Sequence, residues 1–253
     1  MIRQRLGKDL LFFDGGMGTL LQEKGLAPGE LPETWNLTHS EEIYKIHRQY
    51  IEAGSDIILT NTFGANALKF HDDSCSLEEI IKAAVSHVKK AEREALLQTG
   101  DERKIYTALD VGPTGKLLKP MGDLEFETAY EAFKEVVILG EQAGADLIHI
   151  ETMSDTYELK AAVLAAKENT SLPVFATVIF DERKKLLTGA DVSSVVALLE
   201  GLGVDALGIN CAMGPKEMLP VLEELIKYSS VPIIVKPNAG LPKQRDGKTY
   251  YDV

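Results

Sequence analysis

The sequence has very little cysteine, with only Cys75 and Cys211 among 253 residues. Two thiols are too few for a disulfide framework, so the chain is expected to work in a reducing, cytoplasmic compartment. Long apolar runs are also missing: the first one covers only residues 10–13, which is too short for a membrane span or a signal peptide. The formal net charge is −12 and no lysine or arginine cluster interrupts it, so nucleic acid and anionic membranes are not expected partners.

Short β-rich apolar runs alternate with longer segments in which apolar residues recur at helical spacing. This alternation is typical of βα units that build a parallel sheet. Seven strands are predicted, at residues 10–13, 56–60, 105–109, 147–150, 174–179, 206–209 and 232–235. Six helices are predicted near residues 41–53, 77–98, 126–143, 156–169, 192–202 and 215–228.

Three of the joints between a helix and the next strand share a pattern. Residues 53–56, 143–146 and 202–205 each place a glycine at the expected helix end and an aspartate directly before the strand. The glycine predicts a left-handed residue that ends the helix. The recurrence favours a repeated βα unit, although common loop chemistry produces the same pattern.

Seven parallel strands fit either a closed β/α barrel or an open, doubly wound sheet. No G-x-G-x-x-G follows the first predicted strand, which weakens the dinucleotide-binding version of the open sheet. Residues 1–253 are therefore predicted to form one α/β domain, a parallel (β/α)8 barrel of the TIM type. Because the seventh strand lies close to Val253, the eighth is expected to be missing and the domain to be incomplete at its carboxyl end.

Active-site residues of such barrels lie at the carboxyl ends of the strands. Most predicted strands are followed there by polar residues or glycines, at 14–18, 60–64, 110–115, 151–152, 210–211 and 237–240. Carboxylates, amides and one thiol are thus expected to meet on one rim. Each of them is also compatible with a turn or a helix N-cap.

Three of these features allow more than one interpretation. The Asp-Gly-Gly-Met-Gly turn at 14–18 is compatible with an anion cradle or with a plain tight turn. Glu151 follows an apolar strand, so it needs a partner, which is either a substrate ammonium shared with Asp14 or a lysine or arginine. Cys211 is either a reactive thiolate or an inert core residue. Cys75 lies in a polar loop and receives no role.

Six motifs, in this order, resemble the homocysteine S-methyltransferase family. They are Asp-Gly-Gly-Met-Gly-Thr-Leu at 14–20, the run 46–66 ending in Thr-Asn-Thr-Phe-Gly-Ala-Asn, Gly-Pro-Thr-Gly at 112–115 with Pro-Met-Gly at 120–122, Glu-Thr-Met-Ser-Asp at 151–155, Gly-Ile-Asn-Cys at 208–211, and Pro-Asn-Ala-Gly at 237–240. The resemblance covers nearly the whole chain. It is strongest to the homocysteine-binding module of cobalamin-dependent methionine synthases.

The resemblance implies zinc-dependent transfer of a methyl group to the thiolate of homocysteine, which gives methionine. It makes Cys211 the first of three cysteine ligands of zinc, and it makes Asp14 and Glu151 the acceptors of the substrate ammonium. The remaining residues that it assigns to substrate binding are Gly15, Gly16, Met17 and Gly18, whose backbone would receive the carboxylate, and Thr60, Asn61 and Asn238.

The implied methyl donor is methylcobalamin on another module, with cobalamin- and folate-binding modules as partners. Two alternatives stay open: S-methylmethionine or betaine as the donor, or a non-catalytic barrel that binds amino acids. In the family the other two zinc ligands are adjacent cysteines in a Gly-Gly-Cys-Cys-Gly run after the eighth strand, and this sequence contains no such run. The 253 residues alone are therefore expected to be inactive and to lack catalytic zinc.

Overall fold

The computed structural model describes residues 2–70, 75–100, 102–240, 242–245 and 248–251. Its α-helices are α1 (Met17–Glu23), α2 (Trp35–Thr38), α3 (Ser40–Glu52), α4 (Leu77–Thr99), α5 (Phe126–Ala143), α6 (Thr156–Asn169), α7 (Val192–Gly201) and α8 (Pro215–Tyr228). Its strands are β1 (Ile57–Leu59), β2 (Tyr106–Val111), β3 (Leu147–Met153), β4 (Val174–Val178), β5 (Ala206–Asn210), β6 (Ile233–Lys236), β7 (Pro242–Arg245) and β8 (Lys248–Tyr251). Short 3₁₀ turns occupy Ile2–Gln4 and Pro32–Thr34.

Strands β1 to β6 form one parallel sheet in which neighbours in the sequence are neighbours in space. A helix follows each strand from β1 to β5 before the chain enters the next one. Ile57 of the first strand and Ile234 of the last belong to one buried cluster with side chains of the strands between them. A sheet whose two edge strands share such a cluster is curled. The described chain is thus a partial TIM-type barrel, and the predicted fold class is confirmed.

The six predicted helices are all present, with ends within one residue of the prediction. Local chemistry explains the sharp boundaries of α4. The Ser76 hydroxyl accepts the N–H of Glu79 at 3.2 Å, and the Glu79 carboxylate accepts the N–H of Ser76 at 2.8 Å. This capping box pairs two otherwise free donors at the start of the helix. The short helices α1 and α2 escaped prediction because they are too brief to show a helical period.

The three joints with a glycine and an aspartate have the same structure. Their glycines follow the helix with a positive φ, as predicted: Gly54 (111°), Gly144 (96°) and Gly203 (73°). The aspartate then holds the beginning of the neighbouring strand. Asp146 accepts the N–H of Thr107 and Asp205 accepts that of Val174, each at 2.9 Å. The repeat therefore fixes the strand register at the amino-terminal end of the strands, called here the lower end.

The prediction of a full strand at residues 10–13 is wrong. Phe13 makes a single parallel bridge with Ile57, and the ladder stops there. The cause is Asp14, whose Oδ2 accepts the N–H of Leu59 at 3.0 Å, in the place where a continuing strand would offer a main-chain carbonyl. The first segment thus ends in a carboxylate that is tied to β1.

Apolar side chains fill the lower end of the interior. This lower cluster consists of Ile2, Ile57, Tyr106, Ala108, Leu147, Phe175, Ala206 and Ile234. Packing between β5 and β6 is very close at Gly208, because a Cβ there would lie 1.8 Å from the carbonyl oxygen of Ile234. A larger apolar cluster lies on the other side of the sheet, where the helices cover it.

Beyond β6 the described chain contains the antiparallel hairpin β7–β8, which is not part of the parallel sheet. The six-stranded sheet thus has β1 and β6 as its edge strands within the described residues. No helix in the described part of the chain has the length and apolar character needed to cross a membrane.

Candidate active site

The interior of the curled sheet contains a cavity of about 870 Å³. It extends from the lower cluster, at Phe175, to the carboxyl ends of the strands, called here the rim. All ten residues that the sequence analysis assigned to the site line this cavity: Asp14, Gly15, Gly16, Met17, Gly18, Thr60, Asn61, Glu151, Cys211 and Asn238. Their proximity is a fact of geometry, whereas their roles in binding and catalysis remain predictions.

Asp14 is buried at the rim with one carboxylate oxygen occupied and one free. Oδ2 is held by the N–H of Leu59, while Oδ1 has no hydrogen-bond partner. Burial raises the pKa of Asp14 to about 7, although the charge of Lys236 opposes this shift. An added cation would favour the ionised form and could use Oδ1 as an acceptor.

The glycine-rich turn that follows is shaped by Tyr50. A Cβ on Gly15 would lie 2.7 Å from the Tyr50 hydroxyl oxygen, and that hydroxyl donates to the carbonyl of Gly16 at 3.1 Å. Gly15, Gly16 and Gly18 are exposed and line the cavity. The backbone of this turn is therefore accessible to a small ligand.

Glu151, near the end of β3, forms a buried ion pair with Lys236 at the end of β6. The Lys236 Nζ lies 2.6 Å from the Glu151 Oε2 and 5.1 Å from the centroid of the Phe13 ring. His149 Nε2 lies 3.3 Å from the same carboxylate oxygen. Burial raises the pKa of Glu151, but the imidazole and the ammonium outweigh it and hold that pKa below its ordinary value. Of the two partners that the sequence left open, the structure contains the lysine.

Asp110, near the end of β2, is a further carboxyl group of the cavity. It is 6% exposed, and its Oδ1 has no hydrogen-bond partner. Burial and the charge of Glu151 raise its pKa well above the ordinary value. Asp14, Asp110 and Glu151 thus line a cavity in which Lys236 is the one lysine or arginine among the described residues.

Cys211 lies directly after β5 in a strained turn. Its φ is 53° and that of Ala212 is 57°, a left-handed conformation that is unfavourable for residues with a Cβ. The Asn210 amide donates to the Cys211 sulfur at 3.3 Å and to the Thr152 hydroxyl at 2.7 Å. Burial and the charge of Glu151 raise the pKa of the thiol, so the thiolate is not favoured without a further positive charge.

The described side chains do not form a complete zinc site. No group of three histidine, cysteine, aspartate or glutamate residues in the described part of the chain has a geometry suited to a metal. Cys75, the other cysteine, packs beside the apolar cluster under the helices and does not line the cavity. Catalytic zinc needs three protein ligands, and Cys211 is the one cysteine of the described residues that lines the cavity.

The other predicted polar residues hold the rim together. Thr60 accepts the N–H of Asp110 at 3.1 Å, and Asn61 donates to the carbonyl of Pro32 at 2.8 Å. The backbone N–H of Asn238 donates to the carbonyl of Met213 at 3.1 Å. Thr60 and Asn61 therefore position neighbouring segments, whatever they contribute to a ligand.

Sequence reasoning assigned no role to four residues that line or support the cavity: Asp110, Thr152, Asn210 and Lys236. Each lies at the carboxyl end of a strand, which was the available signal. Pairing was not visible in the sequence, because Lys236 and Glu151 are 85 positions apart.

Known proteins resemble the chain in sequence. A methionine synthase of Mycobacterium leprae (strain TN) is 34% identical over 250 residues, which are 94% of this chain and 21% of that protein. A methionine synthase of Mycobacterium tuberculosis (strain ATCC 25618 / H37Rv) is 34% identical over 248 residues, again 94% and 21%. The chain thus spans about one fifth of the length of these relatives.

Solved structures agree with the sequence comparison. The homocysteine methyltransferase MmuM from Escherichia coli in its metallated form is 25% identical, with a TM-score of 0.83 over 92% of this chain and 85% of that chain. Its apo form is also 25% identical, with a TM-score of 0.76 over 90% of this chain and 82% of that chain. The family model of homocysteine S-methyltransferases matches residues 11–253. The chain therefore belongs to the homocysteine S-methyltransferase family.

Proposed function

We propose that this chain binds homocysteine and presents its sulfur for methylation, as the homocysteine-binding module of a methionine synthase-like enzyme. The observation that carries the proposal is the set of residues that line one cavity. Cys211, the glycine-rich turn and two predicted ammonium acceptors, Asp14 and Glu151, line it together. Family membership supplies the reaction class, methyl transfer to a thiol.

In the proposed complex the amino-acid end of homocysteine lies at the side of the first segment. Its ammonium is accepted by Asp14 and Glu151, and each charge-assisted hydrogen bond contributes roughly 1.5–3 kcal/mol. Its carboxylate accepts backbone N–H groups of the turn from Gly15 to Gly18. The thiol then extends along the cavity toward Cys211.

The reaction moves one proton and one methyl group. The S–H of homocysteine loses its proton, the sulfur forms a bond to the methyl carbon, and the bond between that carbon and the donor breaks. An unperturbed thiol has a pKa near 8.5 and is mostly protonated at neutral pH, so a positive charge beside the sulfur is required. We propose that zinc supplies it, with Cys211 as one ligand and sulfur ligands outside the described residues completing the site.

Methylcobalamin on another module is the proposed methyl donor, with cobalamin- and folate-binding modules as partners and a cytoplasmic location. The similarity to methionine synthases supports this donor. S-methylmethionine or betaine would use the same homocysteine site. Assays of the intact protein with each donor separate these possibilities.

The two cysteines offer a matched test of the proposal. In the intact protein, Cys211→Ala is expected to abolish methyl transfer and zinc retention, because a thiolate ligand is lost. Cys75→Ala should retain both, since Cys75 lies outside the cavity. Zinc content, circular dichroism and methionine formation are measured together. A folded Cys211→Ala protein that keeps zinc in an all-sulfur site would remove Cys211 from the proposed metal centre.

A further inference from the structure

Lys236 is a cation at the rim of the proposed substrate site, at the carboxyl end of β6. Its side chain is 17% exposed and its Nζ is 2.6 Å from Glu151 Oε2. The face of the Phe13 ring lies beside the same ammonium, at 5.1 Å, which adds a cation–π attraction. The backbone of Lys236 is fixed as well, because its carbonyl accepts the N–H of Cys211 at 2.9 Å.

The carboxyl groups around Lys236 outnumber it. Glu151 is paired with it, but Asp14 and Asp110 each keep one oxygen that is buried and has no partner. Both residues line the cavity. Buried carboxyl oxygens are rarely left without donors, so Asp14 and Asp110 offer acceptors to a second cation that enters the cavity.

The two cations would compete for one acceptor. Glu151 is the carboxylate that the proposed function gives to the substrate ammonium, and Lys236 already holds its Oε2 at 2.6 Å. Two positive charges about 4 Å apart near a protein surface repel by roughly 4 kcal/mol. Lys236 therefore has to yield Glu151, or share it, when an ammonium enters.

Asp110 is an alternative acceptor for the Lys236 ammonium. Its Oδ1 is buried and unpartnered in the same cavity that Lys236 lines, and an ammonium placed against it would favour its ionised form. A lysine side chain has a flexible stem that can carry its ammonium between neighbouring carboxylates.

We propose that Lys236 is an internal counter-ion of Glu151 that the substrate ammonium displaces toward Asp110. The inference rests on the proposed function, because it assumes that homocysteine places its ammonium at Glu151. It makes Lys236 a positioning residue that sets the affinity for amino-acid ligands. A thiol ligand without an ammonium leaves the Lys236–Glu151 pair in place, so its binding is independent of the exchange.

The test is calorimetric titration of the intact protein with homocysteine and with 4-mercaptobutanoate, which lacks the amino group. Lys236→Met is expected to bind homocysteine about tenfold more tightly, equivalent to ~1.4 kcal/mol, and to bind the deamino ligand as the wild type does. Lys236→Gln, which keeps a donor toward Glu151 without the charge, should also bind homocysteine more tightly than the wild type. Lys236→Arg keeps the charge and should not tighten binding.

A double-mutant cycle tests whether Asp110 accepts the displaced Lys236 ammonium. Asp110→Asn should weaken homocysteine binding several-fold when Lys236 is present, and have no effect in the Lys236→Met background, because no ammonium then needs that acceptor. Folding of each variant is checked by circular dichroism. Unchanged or weaker homocysteine binding in both folded Lys236→Met and Lys236→Gln proteins would contradict this inference and leave the proposed function standing. Wild-type protein that binds no homocysteine would remove the proposed function, and this inference with it.

Discussion

The lower end and the rim of the barrel interior are built from the same strands but differ in chemistry. Along β3 the inward side chains change from Leu147, in the lower cluster, to Glu151 at the rim within four residues. Along β2 they change from Tyr106 to Asp110 over the same distance. One strand thus supplies an apolar core at one end and a polar site at the other.

The two ends also differ in how well their carboxyl groups are satisfied. At the lower end Asp205 accepts an N–H of β4 and binds Arg3 at 2.5 Å. At the rim Asp14 and Asp110 keep unpartnered oxygens, and Cys211 has a positive φ. Buried carboxyl oxygens without partners, together with a strained residue beside them, indicate where a ligand is needed. Stability is therefore assigned to the lower end and binding to the rim.

The largest effect that tests this division is expected from Phe175→Ala. Phe175 is 1% exposed in the lower cluster, and removing a buried phenylalanine side chain costs about 3–5 kcal/mol of unfolding free energy. Urea unfolding measures the loss. Homocysteine affinity of the folded fraction should stay close to the wild-type value, because the rim is untouched. An equal loss of affinity under folded conditions would show that the two ends are not separable.

A smaller, pH-dependent effect is expected from the aspartates at the two ends. Burial holds the pKa of Asp14 at about 7, against an ordinary 3.8. Between those values the unfolded chain has released the proton and the folded chain keeps it. This group therefore lowers stability as pH rises, by up to ~1.4 kcal/mol per pH unit, and adds no further slope above its folded pKa. Asp14→Asn should remove that slope.

The matched control at the lower end has the opposite sign. Although burial raises it, the pKa of Asp205 is lowered overall by its hydrogen bonds with Arg3 and the N–H of Val174. Its contribution to stability is present above the ordinary aspartate pKa and is lost as pH falls through the lower, folded value. Asp205→Asn should thus reduce the loss of unfolding free energy as the pH falls into the acid range. Urea unfolding across the acid and neutral range gives both slopes, and slopes of the same sign would contradict the assignment.

Much of the fold was predictable from the sequence because local signals agreed. The helices carry a clear apolar period, and the joints at Gly54, Gly144 and Gly203 carry glycines that only a left-handed conformation explains. The first strand was mispredicted because its apolar run looks like any buried strand. The decisive event is a side chain, Asp14, that takes a main-chain position in the ladder with Leu59. A side chain that replaces a main-chain acceptor in this way does not change the hydrophobic periodicity of the sequence.

The site was predictable as a location and less so as a set of interactions. Strand ends and family motifs placed Asp14, Glu151 and Cys211 on one rim, and all three line the cavity. The lysine that neutralises Glu151 lies in another βα unit, so the sequence gives no sign of the pairing. The free oxygen of Asp110 is likewise a property of packing. Long-range pairing and unmet hydrogen bonds become visible only in three dimensions.

The smallest predicted effect concerns strain at the rim, and its sign differs from that in an ordinary helix. Ala212 is exposed with a φ of 57°, so Ala212→Gly should raise the unfolding free energy by about 1 kcal/mol as the strain is released. Ala83, inside α4, is the control, because Ala83→Gly should lower it by about 1 kcal/mol. Both changes are measured by urea unfolding. Ala212→Gly should also weaken homocysteine binding slightly, since the turn that aims Cys211 becomes less rigid. A destabilised Ala212→Gly protein would show that the left-handed turn stores no strain.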